Sequence, residues 1–132
     1  MTYLLDTNIL IGILTGRKPY ADMLAKLVRD HNVLATCAVV VSEIYAGMRP
    51  AEAQRTNSLL ASLLYLQADF EVARRAGLIR ADAITEGRHM ALADASIAAT
   101  AMEHGCTLIT ENGKDFHVPG LRMEAPAEAR AA

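Results

Sequence analysis

Two kinds of apolar run alternate along the chain. Short clusters at residues 2–5 (TYLL), 33–36 (VLAT), 65–67 (YLQ) and 106–110 (CTLIT) are bounded by polar or turn residues. They read as short, buried strands. Between them lie longer stretches with helical spacing. One helix follows Asp6, with Thr7 or Asn8 near its N-cap and Gly16 near its end. A second covers residues 20–30, with Pro19 just before its first turn. In AVVVSEIYAGM, β-branched residues give way to helix formers, and Glu43 falls early in that helix. Further helices are predicted over 51–64, over 70–86 with a stop at Gly87, and over 92–104. The last consists of small residues and stops at Gly105, which suits the left-handed C′ position. No internal repeat or low-complexity linker interrupts the order. Strands alternating with helices imply parallel βαβ units, hence an α/β/α sandwich with a mostly parallel central sheet. One domain is expected over 1–124, with the polar, Ala-rich stretch 125–132 fraying as a tail.

Composition narrows the class. The 132 residues are 52% apolar, enough for a core that removes about 70% of the unfolded surface from water. With 13 basic against 15 acidic side chains the net charge is −2. A polyanion partner must therefore be met by local charge or by bound cations. Cys37 and Cys106 are far apart, match no zinc spacing and lie in apolar runs. They read as buried free thiols, in keeping with a reducing cytoplasm. The first apolar stretch lacks a basic n-region and is broken by Asp6 and Asn8, so it is not a signal peptide. No run reaches the ~18 uninterrupted apolar residues of a membrane span. A cytoplasmic, membrane-free protein is expected.

The chemistry lies in acids near strand ends. Ligands of an open parallel α/β sheet bind beyond the carboxyl ends of its strands. Asp6 ends the first strand, Glu43 opens the helix after the second, and Asp115 follows the strand ending at Thr110. Asp94 sits in the first turn of the helix leading into that strand. Singly, each has a plain explanation. Asp6 can cap a helix, Glu43 and Asp94 can compensate a helix dipole, and Asp115 can be a turn residue. Were three or four to converge, each pair of charges about 4 Å apart would repel by roughly 4 kcal/mol at an effective dielectric of 20. Either some of them protonate, or a divalent cation holds them together. Oxygen-only ligands favour Mg²⁺ or Mn²⁺ over zinc, and carboxylate-bound Mg²⁺ commonly meets phosphate groups.

Taken together, YLLDTNILI, VVVSEIYAGM and DASIAATAMEHGCTLITENGKDF, closed by VPGLRMEAP, resemble the PIN-domain nucleases. The likeness is strongest to the VapC toxins of toxin–antitoxin pairs, and it spans nearly the whole chain. It implies a flavodoxin-like α/β/α fold and a Mg²⁺- or Mn²⁺-dependent endoribonuclease. Position by position, Asp6, Glu43 and Asp94 match the family's catalytic, metal-gathering acids. Asp115 is taken as the fourth acid, with Thr110 and Asn112 as supporting polar groups. In the implied mechanism the cation binds a scissile RNA phosphate and activates a water for in-line attack. Thr7 and Asn8 orient Asp6 or a cation-bound water, while Ser42 either serves the site or caps the helix carrying Glu43. Arg17, Lys18, Arg49, Arg88 and Lys114 are the candidate RNA contacts, each equally readable as solvated surface charge. The resemblance also implies a homodimer and a cognate VapB-like antitoxin. Such a partner would lie in an apolar groove supplied by the helices from 20 to 64 and push a basic side chain at the acids.

Two other classes compete. A haloacid-dehalogenase-like phosphatase needs a second aspartate two residues after the first, and that position is Asn8. A phosphorylation-dependent receiver module needs adjacent early acids and a lysine after the last strand. Asp6 has no acidic neighbour, and Lys114 alone answers for the lysine. A PIN-like domain that has lost activity and only binds partners is a third possibility, against which the retained acids argue.

Overall fold

β1 (Thr2–Leu5) takes the centre of the sheet because it is apolar on both faces, with Tyr3, Leu4 and Leu5 all buried. The computed structural model describes residues 1–126. β2 (Val33–Cys37), β3 (Leu64–Leu66), β4 (Thr107–Ile109) and β5 (Met123–Glu124) complete a five-stranded sheet in the order β3-β2-β1-β4-β5. Every pairing is parallel, with Leu4 beside Ala35 on one flank and Leu108 on the other. α1 (Thr7–Leu14) and α2 (Lys18–Arg29) join β1 to β2. α3 (Ala38–Gly47), a 3₁₀ turn at Pro50–Glu52 and α4 (Ala53–Ala61) join β2 to β3. α5 (Phe70–Thr85) and α6 (Leu92–Glu103) carry the chain back across to β4.

The first two crossovers step away from β1 on one side and the third returns to its other side. Right-handed connections therefore put α1–α4 on one face and α5–α6 on the other. The packing agrees, since α1 meets α2, α3 and α4, while α5 lies along α6. The reversal of strand order falls between β1 and β4, and the crevice at their carboxyl ends is where such sheets bind ligands. α6 must begin at that same edge, because it runs back to the amino edge before β4 starts. Ala95, Ala98, Ala99 and Ala101 of α6 are wholly buried, so small side chains let the helix approach both α5 and the sheet. Both cysteines are buried and free. Among the described residues no helix is long and apolar enough to cross a membrane.

Several boundaries differ from the sequence reading. α3 starts at Ala38, so the β-branched run is helical, because residues four apart, Val40 and Ile44, bury one face. α2 starts at Lys18, with Pro19 inside its first turn. The stretch predicted as one helix over 51–64 is a 3₁₀ turn followed by α4, which ends at Ala61. The α1 cap is Asp6 rather than Thr7 or Asn8. β5 is only two residues long, too short to leave a pattern. Of the tail expected over 125–132, residues 127–132 lie outside the described residues.

α1 and α2 touch at one residue of minimal size. A Cβ on Gly12 would lie 2.6 Å from Cδ2 and 2.8 Å from Cγ of the buried Tyr20 ring. That ring is roofed by the Arg17 guanidinium, 4.8 Å from its centroid, and cannot simply swing away. Gly12→Ala should therefore cost about 1–3 kcal/mol in urea unfolding, the usual range for overpacking. Tyr20→Leu in the same chain should restore part of it, and a Gly12→Ala protein as stable as the parent would refute the contact.

Candidate functional site

Asp6 follows β1 directly and caps α1, so its position is fixed from both sides. Its own amide continues the ladder to Ile109 (3.0 Å), and the residue is only 6% exposed. The carboxylate accepts from the Thr7 amide (2.8 Å), from Thr110 Oγ1 (2.7 Å) and, at longer range, from Asn8 Nδ2 (3.4 Å). Thr110 is itself oriented, because its Oγ1 accepts from the Asn112 amide at 3.0 Å. Asn112 thus serves the site through its backbone rather than its side chain. Asn8 also accepts from the Glu111 amide (3.3 Å), which ties α1 to the turn after β4.

The other acids arrive on three further elements. Glu43 is exposed in the second turn of α3, and its Oε1 accepts from Thr7 Oγ1 at 2.6 Å. Thr7 thereby bridges two acids, with its amide on Asp6 and its hydroxyl on Glu43. Asp94 is half-buried in the first turn of α6. Asp115 is exposed at the end of the 3₁₀ turn Gly113–Asp115. Ser42 does not cap the helix of Glu43. α3 begins four residues earlier with Cys37 at its N-cap, which leaves Ser42 in mid-helix.

The four carboxylates share one field. Burial pushes the Asp6 carboxyl above its ordinary range, opposed by the Thr110 and Thr7 hydrogen bonds and reinforced by the charge of Glu43. Burial also raises the Asp94 carboxyl, followed by the charges of Asp6, Glu43 and Asp115. Among the described residues, however, no three acidic, His or Cys side chains are drawn close enough to form a ready-made metal shell. The acids therefore influence one another through their charge without touching. Such a donor set suits a hard divalent cation, because Mg²⁺ characteristically takes one or two carboxylates and keeps several waters.

A family model described as PIN domain matches residues 3–120. The chain belongs to the PIN domain family. It is 35% identical over 132 residues to ribonuclease VapC10 of Mycobacterium tuberculosis, covering 92% of this chain and 98% of the relative. Among solved structures, VapBC2 from Rickettsia felis bound to a promoter DNA fragment superposes with a TM-score of 0.85. Identity there is 24%, over 95% of this chain and 98% of that one. A toxin–antitoxin complex from Klebsiella pneumoniae gives 0.74 at 30% identity, over 94% and 97% of the two chains. The all-parallel sheet flanked by helices is the architecture of this family.

The candidate cations of this PIN domain fall into two groups. Arg88 and Lys114 share a depression with Asp94 and Asp115. Arg17 stacks on Tyr20 and lies 3.9 Å from Glu111, while Lys18 pairs with Asp22 at 3.2 Å. Arg49 is held by Glu52 in the cap of the 3₁₀ turn. Arg49 and Glu52 also border an apolar groove of about 240 Å³, whose other walls include Ile11, Leu14, Ile44 and Met48, with Glu43 at its edge. The groove therefore draws on α1 and α3 rather than on α2, which contributes nothing to it. His89 and His117, both in the depression with Arg88, escaped the sequence reading. One precedes a helix start and the other follows a turn, and neither sits in a motif.

The two raised carboxyls set the pH response. Between the ordinary value, about pH 4, and the raised ones, the folded chain holds protons that the unfolded chain has released. Without divalent cations, stability is thus gained as pH falls through that window and lost as it rises. Asp94→Asn should raise Tm at pH 7 in EDTA by about 2–4 °C and flatten the pH dependence, with screening at this half-exposed site keeping the gain small. Scanning calorimetry of the two proteins across pH 4.5–7.5 makes the comparison, and an unchanged or lower Tm would rule out repulsion at Asp94.

Proposed function

We propose that this PIN domain is the toxin of a toxin–antitoxin pair. In this reading it is an endoribonuclease that hydrolyses RNA phosphodiester bonds with Mg²⁺ or Mn²⁺ held by Asp6, Glu43, Asp94 and Asp115. The observation that carries it is Asp6, a carboxylate withdrawn from water at the switch point of the sheet and charge-coupled to other acids. A purely structural cap has no need of such company. The VapC10 ribonuclease relative supports the substrate class, and the Klebsiella complex supports a protein partner. The same reading places the chain in the cytoplasm, where buried free thiols persist, and pairs it as a homodimer.

When bound, the cation neutralises the crowded carboxylates, lowers the pKa of water and stabilises charge on the phosphate. The chain's own residues do the positioning. Thr110 and the Thr7 amide fix both oxygens of Asp6, and the Thr7 hydroxyl holds Glu43 at a set distance from it. Asp115, from the turn, and Asp94, from the helix start, line one depression where a strand could lie. Burial and mutual repulsion shift the Asp6 and Asp94 carboxyls upward, so a cation bound among them would pull both back down.

In vitro, purified protein should cleave single-stranded RNA on addition of Mg²⁺ or Mn²⁺ and stop in excess EDTA. Asp6→Asn should lower the rate by more than about 100-fold, since residues that merely orient a ligand already cost 10–100-fold. Undiminished cleavage in EDTA, or by a folded Asp6→Asn protein, would sink the assignment. In cells, induction of the wild-type chain should arrest growth, Asp6→Asn should not, and coexpression of a partner seated at Glu43 should relieve the arrest. Growth-rate measurements on the induced cultures decide it, and equal growth of wild type and variant would remove the toxin role.

A further inference from the structure

The depression beside Asp94 and Asp115 is the roomier of the two near the acids, at about 510 Å³. Its remaining polar lining is basic: Arg88, His89, Lys114 and His117. The groove on the Glu43 side, at about 240 Å³, is mainly apolar. The acids thus stand between two clefts of opposite chemistry.

We propose that the basic cleft is the phosphate track of the site. Arg88, His89, Lys114 and His117 bind backbone phosphates of single-stranded RNA next to the bond placed over Asp94 and Asp115. This rests on the endoribonuclease reading above and assigns the residues that capture the strand. A cluster of carboxylates repels RNA, and a net charge of −2 supplies no long-range attraction. Cations at the mouth must do so.

Four features qualify these side chains. Lys114 shares the 3₁₀ turn of Asp115, and His89 lies just before the start of the helix that carries Asp94. Each therefore lies close in sequence to one of the acids. The side chains of Lys114, His89 and His117 have no hydrogen-bond or ion-pair partner among the described residues, unlike Arg17, Lys18 and Arg49. Arg88 is pinned by Glu86 (2.9 Å) and by the His117 carbonyl (3.3 Å), yet its Nη1 remains free to donate. Finally, Arg88 and His117 also wall a second depression of about 300 Å³ along α5, where Arg74 and Arg75 stand with Asp82 and Glu86, so the cleft continues beyond a single phosphate. No Phe, Tyr or Trp lines the cleft, so its polar contacts fall to Arg88, Lys114 and the two histidines, which suit backbone phosphates.

Fluorescence anisotropy of the full chain in EDTA, with two labelled single-stranded oligoribonucleotides of unrelated sequence, tests this directly. His89→Ala/Lys114→Ala should weaken binding of both by about tenfold and lower the salt slope of log K by about 0.7 for each phosphate no longer neutralised. Lys26→Ala, which removes one positive charge on α2, should change neither. With Mg²⁺, KM should rise by the same factor while kcat stays within about twofold. Lys114→Arg should bind as wild type and Lys114→Gln should not, a comparison that holds if the double variant fails to fold. Wild-type KM and salt slope in the double variant, equal binding by the Arg and Gln variants, or an equal loss in Lys26→Ala would overturn the track and leave the nuclease reading standing. A wild-type protein that cleaves no RNA with either cation would overturn both.

Discussion

A carboxylate kept out of water at the end of the central strand governs this molecule. Burial pushes the Asp6 carboxyl upward, and two short hydrogen bonds work against that. Both depend on the fold. The Thr7 amide is available because α1 starts immediately after β1, and Thr110 is in reach because β4 is the neighbour of β1. Shift the β1–β4 register by one residue and the hydroxyl leaves the carboxylate, since alternate residues face opposite sides. The ladder bond from Asp6 to Ile109 and the link from Asn8 to the Glu111 amide hold that register at the one place where it matters.

The remaining acids are brought in by direction rather than by proximity in sequence. In an all-parallel sheet a helix returning to the next strand begins near the carboxyl edge, so the first turn of α6 delivers Asp94 where β1 delivers Asp6. Glu43, one turn further into α3, is retained by the Thr7 hydroxyl and stays exposed. Asp115 hangs from a short turn between β4 and β5. One acid is buried, one is half-buried and two are exposed. Burial thus falls mainly on Asp6 and Asp94, the two carboxyls that it pushes upward.

Much of this was legible in the sequence, and the failures have physical causes. β1, β2, β4 and α6 were plain because their burial is nearly complete and their ends carry Asp6, Gly105 or polar turns. The residues of the acid set were legible as strand-end and helix-start acids, and the resemblance added weight to Glu43. Thr7 and Thr110 were legible as supports of the site through the resemblance, but no local pattern gave the bond from the Thr7 hydroxyl to Glu43, which depends on α3 lying beside α1. Ser42 misled because Val39 to Val41 looked like strand, and tertiary packing of Val40 overrode that preference. β5 was invisible because two residues have no period. His89 and His117 were missed because each is unremarkable until the β4–β5 connection folds back toward the start of α6.

The two clefts meet at the acids from opposite chemistries, and their coupling follows from charge alone. A partner filling the groove of Ile11, Leu14, Ile44 and Met48 reaches Glu43 first, at the groove's edge. A basic side chain placed there would neutralise a charge that Asp6 and Asp94 both feel. It would also compete with the Thr7 hydroxyl for Glu43. In the proposed reading, an inhibitor therefore need not enter the RNA cleft at all. It can disarm the cation site from the apolar side, through an ion pair to an exposed carboxylate that weakens as salt rises.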